Sequence, residues 1–408
     1  MIESTGYLRW GITMMRAYCT RKNTKLCLAL IHILLSSIMI SQTSAFGFIP
    51  NSVTEESAIW ESLESDYPGA VYRDVAFYNA THGWVVGQWT GGSSGNGVVL
   101  YTDDGGDTWQ TQLHNGSEQE YDKIDIYDWN SIWVTGYGSL YYTSDGGQSW
   151  IESKVVSSKS LMSTVKFIDE DNGWTATSRV LYKTTDGGLT WTSVHGWAVQ
   201  DNPLTLNFVS STEVYAIGFR GIYYSDDGAD TWSIVSDIGG RSLSMVDTME
   251  GWAVGDNILL HTVDDNNWES IPIPGRSLLP RINPPYLSEI LTLEDRVWIV
   301  GDEIPIMHTS NGGDSWYEQT VPEEVNDRIL ALDFHNHTLG WAVGYGGVIL
   351  RTNEGDTLGP ILYSGSLDPL IITAMSISVG SIVVVGGILS YRRKLRKSQL
   401  VQVDSKLE

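Results

Sequence analysis

Asp256 and Asp302 each follow a strand-ending glycine, Gly255 and Gly301, in corresponding places of a recurring phrase, and Glu303 stands beside the second. Two carboxyl groups facing each other across a cleft at about 5 to 9.5 Å can serve as acid and base or nucleophile in glycoside hydrolysis. Asp at such a position also serves a turn for conformational reasons alone. The basic residues offer different chemistry. Arg179 and Arg220 occupy matching turns, and Arg241 and Arg328 precede short apolar runs. Two longer stretches, 88–97 with Trp89 and 276–288 with Arg281 and Tyr286, add aromatic and cationic groups. Guanidinium and aromatic side chains on loops are the usual anchors of a protein-recognition surface. The alternative is that these arginines are solvated, or neutralised by carboxylates such as Asp256 and Asp302. Metal chemistry is not indicated: His82, His335 and His337 lack ligand spacing, and the stretch from Thr102 to Leu113 lacks the closing Glu of a calcium loop. No cofactor is expected.

The elements that must position these groups are repeats. The octet Thr184-Thr185-Asp186-Gly187-Gly188-Leu189-Thr190-Trp191 reads as a hairpin turn in which Asp bonds turn amides, Gly supplies positive φ and Trp folds back as an apolar plug. Copies pair Asp104 with Trp109, Asp145 with Trp150 and Asp227 with Trp232; weaker ones pair Asp264 with Trp268 and end at Trp316. A second phrase precedes each octet: Gly83-Trp84-Val85-Val86-Gly87, Gly251-Trp252-Ala253-Val254-Gly255 and Gly340-Trp341-Ala342-Val343-Gly344, with variants around Trp133, Trp174, Tyr215 and Trp298. This alternation predicts an all-β, seven-bladed propeller over residues 58–357. The last octet, from Thr352, lacks a Trp, whereas Ile59-Trp60-Glu61-Ser62-Leu63 resembles the strand that follows an octet. The start of the chain is therefore expected to complete the last blade, leaving no open edge.

Outside the repeats, residues 1–45 read as a signal peptide with an uncleaved N-terminal anchor as alternative, 358–369 as a linker, 370–391 as a transmembrane helix and 392–408 as a basic cytoplasmic tail. Both cysteines, Cys19 and Cys27, fall in the first segment, so no disulfide framework is expected. The expected location is the cell membrane: single-pass, with a monomeric propeller outside. Between residues 46 and 391, 14 Lys and Arg face 46 Asp and Glu, a net charge of −32, which argues against nucleic acid as ligand. Blade topology sorts the charges. The octet face collects Asp103, Asp104, Asp107, Asp169, Asp226, Asp227 and Asp230, and the opposite face carries most of the arginines. Asn79-Ala80-Thr81, Asn115-Gly116-Ser117 and Asn336-His337-Thr338 are glycan-acceptor patterns.

The two alternating phrases resemble the Asp-box repeat and, in their seven-fold form, the photosystem II stability and assembly factor family. That resemblance implies a non-catalytic scaffold which binds a membrane or surface protein partner through an arginine-bearing face, with Arg179 and Arg220 as the matching positions. Sialidases and some endoglucanases also carry the octet, so a glycan-binding or glycan-cleaving surface propeller is the alternative. A sialidase arginine motif is only weakly approached by Phe219-Arg220-Gly221-Ile222, which lacks the Ile-Pro that follows its arginine.

Overall fold

The computed structural model describes residues 59–89, 91, 96–115, 120–156, 160–194, 197, 201–264, 267–274, 286–302, 304–358 and 361–364. The expected signal peptide, transmembrane helix and basic tail lie outside these residues. Among the described residues no helix is long and apolar enough to cross a membrane.

The described strands form seven antiparallel sheets. Blade one is typical, with strands Val71–Phe77, Gly83–Trp89, Asn96–Thr102 and Gln110–Asn115 from channel to rim. The second strands are buried along almost their whole length, Gly251–Gly255 and Gly340–Gly344 throughout. That is why their sequences are continuous apolar runs rather than alternating ones. Blade seven is completed as expected: Glu61–Leu63 pairs with Ile349–Thr352, placing Leu63 opposite Ile349 and Ser62 opposite Leu350. Arg351 Nε donates to Glu61 Oε1 across this seam at 2.7 Å.

The stretch expected to be a linker contributes a strand. Ile361–Ser364 adds to the outer edge of blade six, pairing Tyr363 with Trp316 and Ser364 with Ser315. This gives that blade five strands.

The octets are self-capping turns. Thr184 Oγ1 donates to Asp186 Oδ1 at 2.7 Å and accepts from Gly188 N, while Asp186 accepts from both the amide and the hydroxyl of Thr190. The Asp104, Asp145 and Asp227 turns repeat this set. The hydroxyl and amide of Thr231 hold the Asp227 carboxyl down at about 2. Trp191 and Trp232 fold back and donate from Nε1 to Gly188 O and Ala229 O. Gly187 and Gly188 take φ of 71° and 91°, where a side chain is strained.

Blade six carries an internal control, because Asn311 replaces Asp and still accepts from Thr309 Oγ1 and Ser315 N. Asp186→Ala should therefore lower stability by about 1–2 kcal/mol and Asp186→Asn by less than half of that. Equal losses in chemical denaturation would contradict the turn-capping role.

The octets also lock the ring. The second-strand tryptophan of one blade reaches the octet of the next: Trp341 Nε1 donates to Gly105 O, Trp133 to Gly187 O and Trp298 to Gly355 O. In blade one the link runs through Gln112, which accepts from Trp84 and donates to Gly146 O. A first-strand Phe of the following blade stacks on the same indole, with centroids 3.4 Å apart for Phe77 on Trp341 and 3.6 Å for Phe167 on Trp133. Four joints thus join one phrase to the other by hydrogen bonds, whereas Trp174 and Trp252 are buried with Nε1 unbonded among the described residues and serve their joints by packing.

Candidate functional site: the channel and its arginine-aromatic mouth

First strands line the central channel with their inner edges unpaired by any neighbouring strand, so their amides need other acceptors. Side chains of the preceding blade supply them. Asp333 Oδ2 accepts from Phe77 N at 2.7 Å, Asp74 Oδ2 from Ile124 N at 3.1 Å and Asp125 Oδ2 from Phe167 N at 2.6 Å. Glu289 Oε2 accepts from Leu332 N at 2.9 Å, and Ser242 and Ser244 play the same part toward Ile290 and Thr292. Lys166 Nζ lies 2.7 Å from Asp125 Oδ1, and Lys123 Nζ lies 3.8 Å from Asp74 Oδ2.

These side chains wall a cavity of about 370 Å³. Burial pushes Glu289 up to about 7 and Asp333 up to about 6, and raises Asp74 as well. Although burial opposes it, Asp74, Glu289 and Asp122 keep the Lys123 ammonium charged.

A second cavity, about 510 Å³, shares Lys123, Ser242 and Glu289 as walls and reaches Arg73, Ser160, Leu161, Ser178, Arg241 and Tyr286. It is the channel mouth on the face away from the octets. Around it runs an arc in which aromatic rings and guanidinium groups alternate from blade four to blade seven. Arg241 Cζ lies 5.5 Å from the Phe219 ring and 4.0 Å from the Tyr286 ring. Arg328 Cζ lies 4.6 Å from the same Tyr286 ring and 5.5 Å from Tyr345. Such contacts each contribute on the order of 0.5–1 kcal/mol where exposed.

The arginines of this face divide into two kinds. Arg241 holds Asp256 through Nε at 2.7 Å and Nη2 at 3.3 Å, and Arg328 is bonded to Asp302. The carboxylates considered as a catalytic pair are thus each engaged with a guanidinium, in an arrangement that braces the arc. This is the neutralised alternative, and it speaks against Asp256 and Asp302 as a facing acid and base. Glu303 and Arg281 lie outside the described residues. Arg179 and Arg220 are exposed at matching turns of blades three and four, and neither has an ion-pair partner among the described residues.

The Arg220 turn is rigid. Buried Asp201 accepts from Arg220 N at 2.8 Å and from the Tyr223 hydroxyl at 3.0 Å, and Phe219 beside it is 55% exposed. Trp89, expected in a loop, ends a strand opposite Asn96 and packs edge-on against Tyr67 with centroids 5.5 Å apart. Phe219 and Tyr345 enter the arc unannounced by their sequence neighbourhoods. The one available signal was position, since each follows or nearly follows the glycine that ends a second strand.

Among the described residues no cluster of His, Cys, Asp and Glu has the makings of a metal site.

Residues 52–161 match the family of the photosynthesis system II assembly factor YCF48. No curated protein sequence matches significantly. Among solved structures, YCF48 bound to D1 peptide is 20% identical, with a TM-score of 0.60 over 73% of this chain and 97% of that one. YCF48 from Cyanidioschyzon merolae is 18% identical, with a TM-score of 0.57 over 72% and 98%. A streptogramin B lyase reaches a TM-score of 0.59 at 12% identity over 72% and 97%, so the architecture also carries enzymes. At these identities the structural likeness establishes the fold. Together with the matched residues it makes the chain a seven-bladed Asp-box propeller resembling the photosystem II assembly factors.

Proposed function

We propose that the chain is a non-catalytic scaffold, exported and anchored in the cell membrane through residues 370–391, that holds a protein partner on its arginine-aromatic face. The observation that carries this reading is the pair of exposed, unneutralised arginines, Arg179 and Arg220, beside the braced arc of Phe219, Arg241, Tyr286, Arg328 and Tyr345. A rigid surface of this composition loses little conformational entropy on binding. Its free cations select a segment bearing carboxylates, while the strongly acidic remainder of the propeller repels such a segment elsewhere. The YCF48 structure with D1 peptide supports a peptide segment of a protein as the kind of partner.

Charge reversal tests this. Arg179→Glu combined with Arg220→Glu is expected to lower recovery of the cross-linked partner from solubilised membranes at least tenfold, about 1.4 kcal/mol. Both side chains are exposed, so unfolding should shift by no more than about 0.5 kcal/mol. Undiminished recovery would remove the proposed face. The anchor is tested separately: the full chain should resist alkaline extraction from membranes, and a chain truncated after Ser364 should be released.

A further inference from the structure

We propose that Asn79 and Asn336 are acceptors of N-linked glycans on the octet face. This rests on the exported location proposed above. In six blades the turn joining the first and second strands is held by one side-chain oxygen that accepts from the amides two and three residues on. Asp128 does so at 2.9 and 2.7 Å, Asp169 at 2.9 and 2.7 Å, Asp247 at 2.7 and 2.8 Å, and Ser210 at 3.3 and 3.0 Å. Asn79 and Asn336 hold the corresponding turns of blades one and seven, every one of the four bonds at 2.9 Å. Aspartate therefore suffices for the turn, and the amide nitrogen of the two asparagines is left over from its structural work.

In both of these turns the residue two on is Thr, and neither intervening residue, Ala80 or His337, is Pro. Asn and Thr do not occur together in the other turns. Each Thr hydroxyl donates to its Asn Oδ1, at 3.1 Å for Thr81 and 2.8 Å for Thr338. All hydrogen bonds to the two asparagine side chains thus fall on Oδ1, and among the described residues none engages Nδ2. Ala80, Thr81, Asn336 and His337 are exposed, and Asn79 is half-buried. An Asn-x-Thr segment on a surface turn with a free amide nitrogen is the acceptor chemistry of oligosaccharide transfer.

The donor is a lipid-linked diphosphate oligosaccharide. Asn Nδ2 bonds to the anomeric carbon, the bond from that carbon to the diphosphate oxygen breaks, the lipid diphosphate leaves, and one Nδ2 proton passes to solvent. No electron transfer is involved. The two sites flank the joint between blades seven and one, on the octet face. The arginine-aromatic arc lies on the other face and stays open.

The test uses the full chain made in cells that carry an oligosaccharyltransferase, with surface biotinylation reporting export. Release by peptide-N-glycosidase in ¹⁸O-water should convert Asn79 and Asn336 to labelled Asp in the mass spectrum. Asn79→Asp and Asn336→Asp should each remove one glycan step on a gel without lowering the unfolding temperature, because Asp holds the same turn in three other blades. Thr81→Ala should erase the glycan at Asn79 with that asparagine intact. A biotinylated, exported chain with both asparagines unmodified would overturn this proposal and leave the scaffold reading standing. A chain that never reaches the surface would overturn both.

Discussion

Trp60→Ala is expected to lower the unfolding free energy of the chain by about 4 kcal/mol, within the range for deleting a fully buried indole. Trp60 has no exposed surface and lies edge-on to Phe334 at 5.8 Å. Its Nε1 donates to Gln319 Oε1 at 3.0 Å, and Gln319 Nε2 in turn donates to Gly355 O. The substitution thus leaves a cavity and also strands a buried acceptor. It does so beside the short strand Glu61–Leu63 that completes blade seven. Trp60→Phe should recover much of the apolar share but not the bond. Leu189→Ala, at a side chain 60% exposed, should change stability by less than about 0.5 kcal/mol. Thermal and chemical unfolding followed by near-ultraviolet circular dichroism measures all three. A Trp60→Ala loss below about 1 kcal/mol would mean that the ring does not depend on this clasp.

The second large effect is a dependence of stability on pH that runs opposite to ordinary acid denaturation. Glu289 and Asp333 have folded-state values of about 7 and about 6, raised chiefly by burial, against 4.5 and 3.8 ordinarily. The folded chain therefore binds more protons than the unfolded chain between those limits. The stability these groups contribute is complete below their ordinary values and is lost as pH rises through about 6 and then about 7. The groups facing Glu289 are Lys123, which opposes the shift, and Asp74 and Asp333, which add to it.

Between pH 5 and pH 8 the loss should be on the order of 3 kcal/mol. Glu289→Gln keeps an oxygen for the Leu332 amide and removes the charge. It should flatten most of this slope and stabilise the chain at pH 8. Unfolding temperatures across this range decide it: a flat wild-type profile, or an unaltered slope in the variant, would contradict the channel electrostatics.

What could be read from the residues alone was whatever repeats at short range. An octet contains its own turn, its own acceptor and its own plug, so Asp186, Gly188 and Trp191 announce a hairpin wherever they occur together. The closure could be read because Trp60 starts a strand of the kind that follows an octet. The arc could not, since Phe219, Arg241, Tyr286, Arg328 and Tyr345 come from four blades and no local pattern links them. The arginines that precede first strands, Arg241 and Arg328, are paired, and those in the later turns, Arg179 and Arg220, are not among the described residues, because pairing depends on which carboxylate the neighbouring turn presents. Asp74, Asp125 and Asp333 interrupt apolar strands and look like surface positions, yet they bond amides of the next blade. The strand Ile361–Ser364 has neither octet nor glycine turn to mark it.

The bonds from Trp341 to Gly105, from Trp133 to Gly187 and from Trp298 to Gly355 all run the same way round, from one blade to the blade that follows. The circle thus has a sense of rotation, like overlapping roof tiles, and injury will travel with it. A bulky substituent at Gly188 grows against Trp133, and one at Gly313 strikes Trp252, each an indole belonging to the blade before it, so the visible lesion and the altered codon will sit one module apart.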